Sequence, residues 1–154
     1  MLDHEKLDVY QLQLKFIGWV TTLIEEVQQQ APGKTTEVRK QLDRASLSVL
    51  LNIAEGNGKR QQRTRAKFFD DARGSTSESA ACLDALVAKA GCPPQRVEEG
   101  KRILRRVFAM LTKLVQRFDG NPSSSSSSPS SSTLRRRGGR RGRMKTSRAV
   151  RLEV

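Results

Sequence analysis

As far as Phe118, apolar residues recur with the period of an α-helix, in four segments separated by turn-forming residues. Over Leu7–Gln29, Val9, Leu12, Phe16, Val20, Leu23 and Val27 mark one face. A second stripe, Tyr10, Leu14, Ile17 and Ile24 with Trp19, widens that face; it is either a broad bundle face or in part a contact between subunits, with Trp19 and Phe16 as the candidate contacts. Ala31-Pro32-Gly33 breaks the segment, and Thr35 or Thr36 can N-cap a second helix passing through Val38, Leu42 and Ala45. From Ala45 to Ala54 only Ser46, Ser48 and Asn52 are polar, which predicts burial on more than one side. Gly56 and Gly58 are expected to stop this helix, since glycine takes positive φ without steric penalty and Asn-Gly is common just past a helix end. A third helix follows from about Gln62 to Ala90, with Phe68, Phe69, Ala72, Leu83, Leu86 and Val87 for the core and Gly91 as its end. Pro93-Pro94 suit the entry to a fourth, Pro94 to Phe118. There Val97, Leu104, Val107, Phe108, Leu111, Leu114, Val115 and Phe118 form one face. The expected fold is all-α, an antiparallel up-down four-helix bundle over residues 1–121.

Polar residues inside the hairpin between the second and third helices need partners. Asn52 and Glu55 sit in an otherwise apolar helix and are expected to hydrogen-bond at the contact with the third. Small residues on that helix, Ala72, Gly74, Ser75 and Ser79, would allow the close approach that supplies those partners. A glycine within a helix costs roughly 1 kcal/mol against alanine, and close packing at Gly74 would offset it.

The same hairpin carries a resemblance. Asn52-Ile53-Ala54-Glu55-Gly56, then Gly58, Arg60 and Phe68, and finally Gly74-Ser75 with Glu78, resemble the signature of the 23S rRNA-intervening sequence proteins, a family encoded within bacterial large-subunit ribosomal RNA genes. The likeness covers about residues 7 to 118. Two positions depart from it: Ser48-Val49-Leu50 stands where the family has Ser-Ile-Pro, and Gln61 where it has a capping serine. The resemblance implies an antiparallel four-helix bundle assembling as a homopentamer, without enzymatic chemistry, cofactor or metal, and with a role in RNA binding. A related branch, the accessory variability determinant proteins of diversity-generating retroelements, serves a reverse transcriptase.

Charge sharpens the choice of partner. The chain carries 29 Lys and Arg against 16 Asp and Glu, for a net charge of +13. The part from Pro122 onward contributes +8 of it. Such a balance points to a polyanion, most often nucleic acid. On the fourth helix Arg102, Arg105, Arg106, Lys113 and Arg117 recur at helical spacing opposite the apolar face, either as a solvated surface or as a phosphate-binding one. Glu98 is placed to pair with Arg102 four residues on. Lys59, Arg60, Arg63, Arg65 and Lys67 surround the start of the third helix, where a phosphate would meet unpaired N–H groups and arginine forks; the alternative is pairing with Glu55, Asp70 or Asp71. Residues 122–133 are a Ser/Pro-rich run with nothing apolar to bury, hence a disordered linker. Residues 134–154 form an Arg/Gly-rich disordered tail with Arg135, Arg136, Arg137, Arg140, Arg141 and Arg143 as further phosphate contacts.

Other chemistry is thinly supplied. With one histidine, His4, and two cysteines, Cys82 and Cys92, no metal set of soft ligands can be assembled. About two turns of helix separate the thiols, beyond a disulfide's reach, so free thiols in the cytoplasm are expected. No apolar run approaches the roughly 20 residues of a membrane span. The carboxylates fit helix faces or, for Glu55 and Glu78, structural positions, which argues against catalysis. The sequence therefore leads to a non-enzymatic oligomer binding RNA through phosphates, with a scaffold for a reverse transcriptase as the alternative.

Overall fold

A computed structural model describes residues 1–120; the linker at 122–133 and the tail at 134–154 lie outside the described residues. After a short 3-10 turn, Asp3–Lys6, come α1 (Asp8–Gln30), α2 (Thr36–Gly58), α3 (Gln62–Ala88) and α4 (Pro94–Phe118). Each helix packs on its neighbours in the chain, and α4 closes the bundle against α1. Contacts between neighbours run in opposite senses. Gln41, Ser48 and Asn57 on α2 meet Glu78, Ser75 and Arg65 respectively. Asp84 and Arg73 on α3 meet Lys101 and Thr112 on α4.

All six residues of the primary α1 stripe are buried. The core has two apolar parts: one includes Phe16, Leu23, Leu42, Leu83, Leu86 and Val97, the other Val9, Val49, Ile53, Phe69, Val107 and Leu111. Buried polar residues, Gln13, Ser46, Thr76 and Ser79, fall between the two in sequence along their helices. The Gln13 amide donates to the Ser46 carbonyl at 2.8 Å, tying α1 to α2. Thr76 and Ser79 return their hydroxyls to backbone carbonyls one turn back.

Several expectations are corrected. Gly56 does not stop α2, which continues to Gly58 with neither glycine at positive φ. Gly56 is instead buried where α2 crosses α3: a Cβ there would lie 2.9 Å from Phe68 Cβ and 3.3 Å from Phe69 Cε1. Gly74, assigned the close approach, has nothing within 4 Å of such an atom. The run from Ala45 to Ala54 is not enclosed on several sides, for Leu47 and Leu51 point outward. Phe16 lies wholly in the core and Phe108 is 39% exposed. Thr35 occupies the N-cap of α2, but its hydroxyl donates back to Ala31 rather than capping.

The end of α3 is also resolved differently. Ala90 takes the left-handed conformation, φ 55°, and its N–H bonds Val87 O while Gly91 N–H bonds Leu86 O. This is a Schellman ending with alanine where glycine is usual. Gly91 serves packing, since a Cβ there would meet Thr35 Cγ2 at 3.0 Å and Val27 Cγ1 at 3.2 Å.

Candidate nucleic-acid interface

Helix periodicity places the α4 cations outward. Val97, Leu104, Val107 and Leu111 are buried, so the opposite side presents Arg102, Arg105, Arg106, Lys113 and Arg117, all exposed. Among the described residues only Arg102 has an acidic partner, and it is Glu99 at 3.9 Å rather than Glu98. At that distance, with both side chains in solvent, the pair contributes little. Arg117 also lies over the Phe118 ring, 5.5 Å from its centroid.

The group at the start of α3 divides. Lys59 pairs with Glu55 at 3.1 Å and Lys67 with Asp71 at 3.2 Å, so both are partly neutralised. Arg60 and Arg63 are exposed, without an ion pair among the described residues. Arg65 is drawn inward: it donates to Asn57 Oδ1 at 3.1 Å and stacks on Phe118 at 4.5 Å, which itself packs on Phe69. It closes one end of the bundle, and its Nε is buried without a hydrogen-bond partner.

The hairpin signature is structural, in a different way from that expected. Asn52 Nδ2 donates within its own helix, to Ser48 O at 2.9 Å and Ser48 Oγ at 3.2 Å, and only Ser48 crosses to α3, meeting Ser75 Oγ at 2.9 Å. Asn52 therefore acts on the helix contact through Ser48. Glu55 is no buried hydrogen-bonding group; its side chain is 54% exposed and it faces Lys59. Glu78, also exposed, accepts a hydrogen bond from Gln41 across the α2–α3 contact.

Two features escaped the sequence. The first is Arg73 on α3, which reaches Thr112 Oγ1 at 3.4 Å, pairs with Asp70 at 2.7 Å and lies 5.6 Å from the exposed Phe108 ring. Its i, i+3 spacing from Asp70 signals a surface pair and gives no sign of the aromatic. The second is the α1–α4 junction. Arg96 makes a two-pronged bond to Glu26, at 2.8 and 3.0 Å, and stacks on Trp19 at 5.4 Å. Trp19 in turn occupies the space that a side chain at Gly100 would need. The bond from Arg96 holds the Glu26 carboxyl below its ordinary range, while burial pushes both thiols, Cys82 and Cys92, upward. Both thiols are free.

Among the described residues no cluster of His, Cys, Asp or Glu has the arrangement of a metal site, and no helix is long and apolar enough to cross a membrane. A sequence model of the family described as 23S rRNA-intervening sequence protein matches residues 5–113. No curated protein matches the chain.

Proposed function

The chain belongs to the 23S rRNA-intervening sequence protein family, and from that premise we propose that it is a non-enzymatic, oligomeric RNA-binding protein of the cytoplasm. The observation that carries this reading is the outward side of α4, where Arg105, Arg106, Lys113 and Arg117 have no acidic partner among the described residues. Cations held on a rigid helix and left unneutralised suit a polyanion, whose condensed counterions are released when the protein's Lys and Arg side chains take their place at the phosphates. Arg60 and Arg63 extend the surface at the start of α3, and the tail arginines, Arg135 to Arg143, supply a second basic segment. Such contacts position a chain without reading its bases. Replacing Arg102, Arg106 and Lys113 together by alanine is expected to weaken binding to structured and unstructured RNA alike, with the melting temperature unchanged. Undiminished binding would contradict the proposal.

Self-association, as a pentamer, belongs to the same reading. With Phe16 in the core and Trp19 packed against Gly100 and Arg96, the exposed leucines of the first two helices, Leu14 on α1 with Leu47 and Leu51 on α2, are the surface proposed for a subunit contact. The same leucines favour a second reading, a scaffold for a protein partner such as a reverse transcriptase.

A further inference from the structure

Between two ties that join α3 to α4, Arg73 to Thr112 and Asp84 to Lys101, the helix α3 lines its outer edge with small side chains. Thr76, Ser77 and Ala80 leave Phe108 and Arg105 partly uncovered above the buried Leu104, as a groove of about 240 Å³ with Lys101 at its far end. Lys101, Arg105, Phe108 and Thr112 follow one another at helical spacing and so share this edge of α4. An apolar ring is thus exposed, with the Arg73 guanidinium near it and Arg105 one turn away along the same edge, while Lys101 is held by Asp84 at 2.6 Å. Beyond the Arg73 tie lies a separate shallow depression lined by Arg63, Lys67, Asp70 and Asp119.

We infer that this groove is a stacking site for an unpaired base of a single-stranded nucleic acid, with Phe108 as the platform and Arg105, which has no acidic partner among the described residues, holding a flanking phosphate. The inference rests on the RNA-binding reading and adds to it the strandedness of the ligand. Charge complementarity selects the occupant: an apolar peptide would have no use for the cations, and a duplex keeps its base faces covered. Every base has a π-face, so stacking on an aromatic ring tolerates any sequence, in keeping with a surface that otherwise holds phosphates. Asp70 keeps Arg73 beside the ring, which allows its guanidinium to flank a base rather than follow a phosphate.

The test compares the full chain with its Phe108→Ala, Phe108→Leu and Phe108→Trp variants. The probes are an unstructured oligouridylate and an abasic strand of the same length and charge. Phe108→Ala and Phe108→Leu are expected to weaken oligouridylate binding by about five- to a hundredfold, and abasic binding hardly at all. Phe108→Trp retains the affinity and, in a Trp19→Phe background, its emission is quenched by oligouridylate and not by the abasic strand. Leucine keeps the apolar bulk without the π-face, so loss in that variant is not a packing effect. Equal affinity of the unaltered chain for both probes, or equal losses on both in the variants, overturns the stacking site and leaves the RNA-binding reading standing. No binding to either probe at low salt overturns both.

Discussion

Glycine positions show how much a single atom decides in this bundle. Gly56 lies in the body of α2 with Phe68 and Phe69 against it, so Gly56→Ala is expected to destabilise the fold by about 1 to 3 kcal/mol through overpacking. Gly74, exposed and mid-helix with open space beside it, gives the opposite expectation: Gly74→Ala stabilises by about 0.5 to 1 kcal/mol. Denaturant unfolding of the two variants checks both signs. At the end of α3, Ala90 carries the steric cost of a left-handed residue, and Ala90→Gly is expected to gain about 1 kcal/mol in the same measurement. None of these three roles could be read from residue identity. The same glycine letter marks a helix end, a close crossing or an open surface, and only the neighbouring helix distinguishes them. The arginines differ similarly, since Arg63 and Arg65 are alike in sequence, yet one is exposed and the other stacks on Phe118.

The helices themselves were legible in the sequence because the period of apolar residues and the punctuation at Pro32-Gly33, Gly91 and Pro93-Pro94 agree. All four lie within two residues of their expected ends. What the pattern could not convey is how many neighbours each helix has. The apolar run of α2 implies enclosure, whereas the bundle covers one face and leaves Leu47 and Leu51 in solvent. Pairing between helices was equally hidden, as with Glu26 and Arg96, 70 residues apart. Their bond depresses the Glu26 pKa, so its stabilisation is fully present above the ordinary carboxylate value and is lost as pH falls through the depressed folded one. Glu26→Gln removes that dependence. The stability gap between the parent and this variant is expected to close as the pH is lowered through that window, which unfolding curves at several pH values measure. A constant gap would mean that the ion pair does not differ between the folded and unfolded states.

For the whole molecule, the outward arginines of α4 were legible because a helix separates its faces by spacing alone. The groove at Phe108 was not, because its exposure depends on small residues of α3 lying opposite. The proposed self-association belongs to the same scale: light scattering of the parent chain at micromolar concentration is expected to give a multiple of the subunit mass and the Leu47→Asp, Leu51→Asp variant the mass of one subunit, whereas a monomeric parent would contradict the proposal. The central claim is binding to RNA through phosphates, and the salt dependence of that binding tests it most directly. Affinity for one RNA would be titrated against salt for the full chain, for a truncation lacking residues 122–154 with their net charge of +8, and for the Arg102→Ala, Arg106→Ala, Lys113→Ala variant. The logarithm of affinity should fall with the logarithm of salt most steeply for the full chain, and the slope should lessen by about 0.7 for every single-strand phosphate contact removed. Equal slopes for the three proteins, or no binding by the full chain at low salt, would contradict the account.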